Sequence, residues 1–370
     1  MNDTEYMQLA IELAEKGLYT ASPNPRVGCV IVRDGQIIGR GYHVRAGQAH
    51  AEVNAIADAG NVDAATAYVT LEPCSHTGRT PPCSDALIAA NVAKVVVAMT
   101  DPNPLVSGSG IAKLEQAGIS VEVGLLESQA RQLNPGYIKR MESGLPWVRV
   151  KLAMSLDGRT AMASGESQWI TGKEARSDVQ RLRAQSCVVM SGVDTVIADD
   201  ASLTVRADEL GLDTGLAMQA AAQQPVRVVL DSSLRLPSTA KILSQPGRLI
   251  IMTVIEDLAA EQALVAMGAE VVRCGSKNGQ VDLAKVLQFL AKINVNEVLV
   301  EAGATLSGAL ADAGLVDQYT VYMAPTLLGS DARPLLQLPL ATMAEQRRLQ
   351  IDSIRPIGDD WRINARPAKK

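Results

Sequence analysis

The sequence predicts an α/β architecture of layered helices and strands, divided into two domains. Segments with strand and helix patterns alternate through almost the whole chain, which is typical of layered α/β proteins. The chain has 370 residues, and 47% of them are apolar, which is long for one compact core and sufficient for two. Residues 131–146 contain Gly136, Gly144 and two prolines, of which Pro146 ends the segment. We therefore predict domains at 1–145 and 146–370.

The first domain is predicted to combine short buried strands with amphipathic helices. Residues 5–16 have apolar side chains at helical spacing, and Asp34-Gly35 predicts a hairpin between two strands. The predicted helices are 5–16, 50–59, 84–93 and 111–117. The predicted strands are 27–32, 37–41, 67–71, 95–99 and 120–123.

The second domain repeats this alternation on a larger scale. Its predicted strands are 148–153, 187–190, 226–230, 248–252, 271–273 and 297–300. Its predicted helices are 172–183 and 283–291. The Ala- and Gln-rich segment 211–225 is predicted to be a loop or a weak helix.

Composition and charge exclude several classes of protein. The formal net charge is −5 and only 3% of residues are aromatic, whereas nucleic-acid binding needs basic grooves and stacking surfaces. The polar, acidic N-terminus does not resemble a signal peptide, and no apolar run reaches the length of a membrane helix. Five dispersed cysteines do not predict a disulfide framework. We expect a cytoplasmic protein that binds neither membrane nor nucleic acid.

Four residues in the first domain predict a catalytic zinc site. His50, Cys74 and Cys83 provide one nitrogen and two sulfur ligands, which leaves the fourth zinc position open for water. Zinc lowers the pKa of such a water, and Glu52 is placed to carry its proton to the substrate. The H-x-E and P-C elements match the logic of zinc nucleobase deaminases, although eight residues lie between Cys74 and Cys83 instead of the two of the short C-x-x-C.

Several of these residues and their neighbours have alternative interpretations. Cys29, Cys187 and Cys274 lie in or beside apolar strands and are expected in the core. His76 is a competing ligand within the loop. A structural zinc module would need four protein ligands, and a nucleoside or nucleic-acid deaminase with a C-terminal binding domain remains the rival enzyme.

The wider motifs resemble the deaminase domain of the bacterial bifunctional riboflavin-biosynthesis deaminase–reductases. They are N-P-R-V-G at 24–28, G-x-H at 41–43, H-A-E at 50–52, L-E-P-C-S-H-T-G-R-T-P-P-C at 71–83, D-P-N-P at 101–104 and N-P-G-Y at 134–137. The resemblance implies a cytidine-deaminase-like α/β/α domain. It also implies that zinc hydroxide deaminates 2,5-diamino-6-ribosylamino-4(3H)-pyrimidinone 5′-phosphate. The implied substrate contacts are Asn24, His43, Arg79, Asp101 and Asn103, with Arg79 where the family usually has lysine.

The second domain carries several strand-to-helix turns and, by resemblance, is the reductase half of the same family. The turn at Gly303 offers backbone N–H groups at a helix start, a natural phosphate site that is also common as a simple tight turn. Gly108-Ser109-Gly110 is a weaker pattern of this kind and lacks the third glycine of a dinucleotide fingerprint. The resemblance implies a fold like that of dihydrofolate reductase and reduction by NADPH of the ribosyl group of 5-amino-6-(5-phosphoribosylamino)uracil to ribityl.

The resemblance also implies the binding residues of this half and a homodimer. Arg183 and Arg206 suit a phosphate, although surface arginines are equally common, and Trp169 is otherwise a core aromatic. The implied NADPH contacts are Ala153, Trp169, Thr195, Asp199, Ser232, Gly303, Ala304, Thr305, Leu306, Ser307, Gly308 and Ala309. The implied sugar-phosphate contacts are Lys151, Ser167, Arg183, Leu203, Arg206 and Glu301.

Overall fold

A computed structural model describes residues 1–76 and 81–368 of the chain. It divides into two compact units, Met1–Leu145 and Pro146–Lys370. No helix among the described residues is both long and apolar enough to cross a membrane.

The first unit is a five-stranded sheet covered by helices on both faces. Its strand order is β2-β1-β3-β4-β5; β1 pairs antiparallel with β2 and β3, while β3, β4 and β5 are parallel. The strands are β1 Gly28–Arg33, β2 Gln36–Tyr42, β3 Thr66–Val69, β4 Lys94–Val97 and β5 Ser120–Val123. The helices are α1 Asp3–Glu15, α2 Ala51–Ala59, α3 Cys83–Ala89, α4 Ser109–Gln116, α5 Glu127–Leu133 and α6 Pro135–Ser143.

Strand β1 is buried on both sides because it separates two apolar layers. Val30 packs with α1, α5 and α6, whereas Ile31 packs with α2, α3 and α4, as the alternation of side chains along a strand requires. Two glycines of β2 then allow α2 to lie directly on the sheet. A Cβ on Gly39 would be 2.3 Å from the carbonyl oxygen of Ala55, and one on Gly41 would be 2.2 Å from that of Ala51. This close packing sets the position of the start of α2, where His50 lies.

The second unit is built on a nine-stranded sheet in the order β11-β10-β9-β8-β14-β6-β15-β18-β17. The seven strands from β11 to β15 are parallel, and the hairpin β17–β18 adds two antiparallel strands at one edge. The strands are β6 Trp147–Ser155, β7 Arg159–Ala161, β8 Val188–Gly192, β9 Val226–Leu230, β10 Leu249–Thr253, β11 Glu270–Arg273, β12 Ser276–Lys277, β13 Gln280–Val281, β14 Glu297–Glu301, β15 Gln318–Ala324, β16 Arg333–Pro334, β17 Leu349–Ile357 and β18 Asp360–Pro367.

The helices of this unit include α7, whose residues Ala175, Val179 and Leu182 are buried in one large core beneath the sheet. They are α7 Lys173–Gln185, α8 Val193–Asp199, α9 Thr214–Ala222, α10 Leu258–Ala266, α11 Leu283–Lys292 and α12 Ala304–Asp312. Short 3-10 helices cover Ala207–Glu209, Lys241–Ser244 and Met343–Glu345.

The carboxyl ends of the parallel strands meet at one edge of this sheet, where open α/β sheets bind ligands. Lys151 of β6 pairs with Glu301, the last residue of β14. Strand β6 continues to Ser155, which pairs with Ala324 of β15. Beyond Lys151, therefore, β6 is still paired with β15 on one side but has no β14 partner on the other. We call this place, beside residues 152–155, the notch.

Most strands were predicted within a residue or two, but several elements differ from the sequence prediction. Segment 211–225 contains a regular helix, α9. The glycine-containing segment before Pro146 is largely α6, whose Tyr137 and Ile138 are buried in the first core. Seven strands in the described part of the chain have no counterpart among the predicted ones; they are β7, β12, β13, β15, β16, β17 and β18.

Candidate active sites

The three predicted zinc ligands lie together in the first unit. His50 immediately precedes α2, Cys83 is the first residue of α3, and Cys74 follows β3. Their ligand atoms all lie within 4.8 Å of one another. His76 is exposed and does not belong to this group among the described residues. The fold thus assembles one nitrogen and two sulfurs from three separate segments.

The distances and charges of this cluster suit a metal ion. His50 Nδ1 is 3.1 Å from Cys83 Sγ and 3.7 Å from Cys74 Sγ, close to the roughly 3.5 Å between tetrahedral N and S ligands of zinc. The Cys83 amide donates to Cys74 Sγ at 3.3 Å. Hydrogen bonds from Cys83 and His50 hold the pKa of the Cys74 thiol well below its usual range, so the cluster provides the thiolate that metal binding needs.

Glu52 is buried beside the ligand cluster in the first turn of α2. It is only 3% exposed, and burial raises the pKa of its carboxyl group. A carboxyl group with a raised pKa exchanges protons more readily near neutral pH. The position therefore suits proton transfer, as the sequence predicts.

Asn24 and His43 form a hydrogen-bonded pair next to His50. Burial lowers the pKa of His43, and its Nδ1 donates to the carbonyl oxygen of Ala49 at 3.2 Å. In the neutral ring Nε2 is then the acceptor, and it lies 3.1 Å from Asn24 Nδ2. The His43 ring meets that of His50 edge-on at 5.1 Å. His43 thus orients the Asn24 amide beside the metal ligands.

Asp101 and Asn103 lie on the segment that follows β4. Asp101 is buried and accepts from the Tyr137 hydroxyl at 2.8 Å and from the Asn103 amide at 2.9 Å. Burial raises the pKa of this carboxyl group. Arg79, the remaining residue predicted for this pocket, lies outside the described residues.

A charged group lies at the carboxyl edge of the second sheet. Arg183 donates to both carboxylate oxygens of Glu301, at 2.6 and 3.0 Å, and to the carbonyl oxygen of Thr204 at 2.9 Å. Burial raises the pKa of Glu301, but Arg183 more than offsets it, so the net pKa is below the ordinary value. Burial lowers the pKa of Lys151, which the charge of Glu301 partly opposes. Arg183 is therefore the ionic partner of Glu301.

Arg206 and Leu203 lie on the segment that Arg183 holds through Thr204. Arg206 is half exposed and pairs with Glu209 at 2.6 Å, and its amide donates to Gln180 at 3.1 Å. Leu203 is buried with a φ of 55°, an uncommon backbone conformation for a branched residue. This segment is thus held to α7 through Gln180 and Arg183, and the Gln224 side chain bonds Val205 within it.

Most of the predicted cofactor contacts lie at Gly303, which precedes α12, and in the first two turns of that helix. The Gly303 amide donates to Thr195 Oγ1 at 3.3 Å, so two predicted contacts meet there. Position 308 requires glycine for close packing, because a Cβ there would be 2.0 Å from the carbonyl oxygen of Gln337. The Thr305 hydroxyl also donates to the Gln337 side chain at 2.9 Å. The first two turns of α12 are therefore packed against the segment around Gln337.

The other predicted contacts of this unit vary in exposure. Trp169 is 71% exposed and lies against Arg176 at 4.6 Å, so it is not the core aromatic that was the alternative. Ser232 already bonds Gln280 and the Val281 amide. Ala153 lies on β6 beside the notch, Ser167 is half-buried and Asp199 ends α8.

Comparisons with known proteins assign both units. Residues 146–363 match the RibD C-terminal domain, and residues 1–99 match the cytidine and deoxycytidylate deaminase zinc-binding region. Riboflavin biosynthesis protein RibD of Escherichia coli is 52% identical over 97% of this chain and 98% of its own length. The chain belongs to the RibD family. It is a bifunctional deaminase and reductase of riboflavin biosynthesis.

Other RibD proteins agree in sequence and structure. The Haemophilus influenzae protein is 49% identical over 99% of this chain and 97% of its own length. Acinetobacter baumannii RibD superposes with a TM-score of 0.91 at 49% identity, with 99% of each chain covered. A Thermotoga maritima protein described as a diaminohydroxyphosphoribosylaminopyrimidine deaminase/5-amino-6-(5-phosphoribosylamino)uracil reductase superposes with a TM-score of 0.84 at 31% identity, covering 99% of this chain and 98% of that one.

Sequence reasoning missed two buried carboxylates that organise the two units. Glu72 accepts hydrogen bonds from four backbone amides, and Asp178 pairs with several arginines. Glu72 lies within the L-E-P-C motif. A carboxylate directly after an apolar strand could have indicated its structural role from the sequence. Asp178 lies in a charged helix and carries no such signal.

Proposed function

We propose that residues 1–145 deaminate 2,5-diamino-6-ribosylamino-4(3H)-pyrimidinone 5′-phosphate, the substrate that the family resemblance implies. The convergence of His50, Cys74 and Cys83 within 4.8 Å, next to buried Glu52, carries this proposal. One nitrogen and two thiol ligands fit zinc with one position open. These three residues would hold the ion, which when bound makes water acidic enough to supply hydroxide near neutral pH.

Glu52 would carry the protons of this reaction. Its buried carboxylate would accept the first proton that water releases and donate it to the ring nitrogen, and would then accept the second proton, from the hydroxyl group added to the ring, and donate it to the departing amine. Asn24, oriented by His43, together with Asp101 and Asn103, would bind the amide-like edges of the pyrimidine. Arg79 would supply a cation for the phosphate.

We propose that residues 146–370 reduce the ribosyl group of 5-amino-6-(5-phosphoribosylamino)uracil with NADPH. The residues at the carboxyl edge fit a dinucleotide: α12 starts with outward-facing amides, Trp169 is an exposed ring, and β6 borders the notch at Ala153. The cofactor supplies hydride when bound. Lys151, Ser167, Arg206 and Leu203 would then hold the sugar phosphate, with Glu301 fixed by Arg183.

The deaminase proposal is tested with Glu52→Gln. We expect the variant to retain one zinc per chain by atomic absorption while ammonia release falls about 100- to 10,000-fold. Full ammonia release by this variant would refute the role of Glu52, and wild-type protein that contains no zinc would refute the site.

The reductase proposal is tested by following NADPH absorbance with the deaminated substrate. We expect oxidation that saturates with substrate and that the Glu52→Gln variant retains, because the two chemistries use different residues. Absence of NADPH oxidation at saturating substrate would overturn the proposal.

We also propose that the protein acts as a homodimer in the cytoplasm, on small pyrimidines and not on nucleic acid. The net charge of −5 supports the choice of substrate, since nucleic-acid deaminases need basic surfaces. Light scattering after gel filtration tests the dimer, and cell fractionation tests the location. A monomer, a membrane-bound fraction, or deamination of single-stranded DNA would contradict the corresponding expectation.

A further inference from the structure

Glu72 is a buried carboxylate that, among the described residues, accepts hydrogen bonds from four backbone amides of another part of the first unit. It is 3% exposed and lies two residues before the ligand Cys74. Oε2 accepts from the amides of Asp101 at 3.1 Å and Gly108 at 2.9 Å. Oε1 accepts from the amides of Gly110 at 2.9 Å and Ile111 at 3.4 Å. One side chain therefore joins the loop of Cys74 to both ends of segment 101–111.

The contacts of Glu72 reach the two halves of the proposed deaminase site. On one side lie Pro73 and Cys74, the latter one of the three proposed metal ligands. On the other side Asp101, held by Glu72 through its amide, bonds in turn to Asn103 and Tyr137. A displacement of Glu72 would move the Cys74 ligand relative to the residues proposed to bind the pyrimidine.

The glycines of segment 108–110 explain how this contact becomes so close. A Cβ on Gly110 would be 1.9 Å from the carbonyl oxygen of Pro73 and 3.2 Å from Glu72 Oε1. Gly108 has a φ of +82°, which glycine adopts without strain. The Gly108-Ser109-Gly110 pattern thus serves to bring the start of α4 against the loop of Cys74, and Glu72 also complements the positive end of that helix.

We propose that Glu72 is a positioning residue of the deaminase, which holds Cys74 and segment 101–111 in one arrangement. Supporting groups around metal ligands typically change metal affinity about 10- to 100-fold when altered. The proposal rests on the zinc deaminase function and concerns zinc retention as well as turnover.

The test compares Glu72→Gln and Gly110→Ala with Asp58→Asn and with wild type. Glu72→Gln keeps the shape but places an amide NH₂ against backbone donors. Alanine has a higher helix propensity than glycine. Any loss of zinc or of substrate affinity in Gly110→Ala would therefore come from the clash of its Cβ with the Pro73 carbonyl oxygen. Asp58 is the matched control, because it accepts a single backbone bond from Arg40 at 2.8 Å and is exposed.

Zinc release to a chromogenic chelator, deaminase kcat and KM, and NADPH oxidation are measured for each protein. We expect Glu72→Gln and Gly110→Ala to release zinc at least about tenfold faster and to raise the deaminase KM, with Asp58→Asn and all NADPH oxidation rates unchanged. Zinc release and KM at wild-type values in both variants would overturn the proposal. If Glu72→Gln fails to fold, Gly110→Ala decides alone. A wild-type protein that holds zinc without deaminating would refute the proposed function, while zinc release would still test Glu72.

Discussion

Arg183 and Glu301 form a two-pronged ion pair at the carboxyl edge of the second sheet. Both side chains are largely buried, at 14% and 11% exposure, and the third contact of Arg183 is the Thr204 carbonyl. A planar guanidinium matches a carboxylate in this way, whereas an ammonium group makes a single point contact. The pair therefore fixes the Glu301 carboxylate beside Lys151 and fixes segment 203–206 at the same time.

We predict that Arg183→Lys raises the reductase KM and destabilises the second unit by about 1.5–3 kcal/mol, the range for lost charge-assisted hydrogen bonds. Arg248→Lys is the matched control, because Arg248 makes the same fork on Glu270 at an exposed position. It should cost about 0–1 kcal/mol. Urea unfolding is followed by tryptophan fluorescence, since all three tryptophans lie in the second unit. Equal losses in both variants would contradict the prediction.

The sequence was most informative where the chemistry is local. The zinc cluster was predictable because its residue types are rare, and few other roles place His, Glu and Cys at the starts of helices. The partner of Arg183 was not predictable, because Glu301 lies 118 positions further along the chain and a lone arginine in a charged helix has many partners available. The backbone role of Glu72 was hidden for the same reason.

Helix α12 illustrates how a glycine can serve packing where a cofactor motif was expected. Gly308 lies in its interior and is buried against the backbone of Gln337. The Gln337 amide also donates to the Ala304 carbonyl at 3.1 Å. The segment around Gln337 thereby covers one side of the helix start that is proposed to bind phosphate.

We predict that Gly308→Ala destabilises the second unit by about 1–3 kcal/mol through overpacking and raises the KM for NADPH. Helix propensity alone would favour alanine by about 1 kcal/mol. Gly215→Ala in α9 is the control, since its Cβ would meet only Asp213 Oδ1 at 3.5 Å, and it should be neutral or stabilising. Unfolding by tryptophan fluorescence and NADPH titration measure both effects; a stabilised Gly308→Ala protein would refute the packing argument.

The central elements were predictable and the peripheral ones were not. The parallel strand β10 begins with a continuous apolar run, Leu249–Met252, which the sequence displays directly. Strand β17 is exposed along almost its whole length, so it has no buried face to create an alternating pattern. Its pairing with β18 depends on a partner strand, which periodicity does not reveal.

Asp178 connects distant parts of the second unit. From α7 its carboxylate accepts the hydroxyl of Tyr322 at 2.6 Å and Arg362 Nη1 at 2.6 Å, and it pairs with Arg181 at 3.0 Å and with Arg355 at 3.5 Å. These partners belong to α7 itself, β15, β18 and β17. The network ties the edge hairpin to the helix beneath the sheet.

We predict that Asp178→Asn destabilises the second unit by about 3–5 kcal/mol at neutral pH, because Arg362, which is largely buried, loses its counter-charge. Burial raises the pKa of Asp178, but Arg362, Tyr322 and Arg181 more than offset it, so the pKa is lower than in the unfolded chain. Its stabilisation is therefore complete above the unfolded pKa of about 3.9 and is lost as the pH falls through the lower folded pKa.

The measurement is urea unfolding by tryptophan fluorescence between pH 3 and pH 7. The wild type should lose stability below about pH 4 more steeply than Asp178→Asn. Asp352→Asn is the control, since Asp352 holds Arg366 across the same hairpin with the arginine half exposed, and it should cost about 0–1 kcal/mol. A variant with the acid sensitivity of the wild type would show that Asp178 is not its source.

The notch beside β6 has a consequence for the exchange of backbone hydrogens with solvent. Strand β14 ends at Glu301, level with Lys151, while β6 continues to Ser155. Alternate amides of residues 152–155 therefore face β15, and those between them face a side where the sheet has no further strand. In heavy water the first set should exchange slowly and the second set quickly. A cofactor bound along this side would slow the exchange of the second set, so deuterium uptake at alternate positions between 152 and 155 reports whether the notch is occupied.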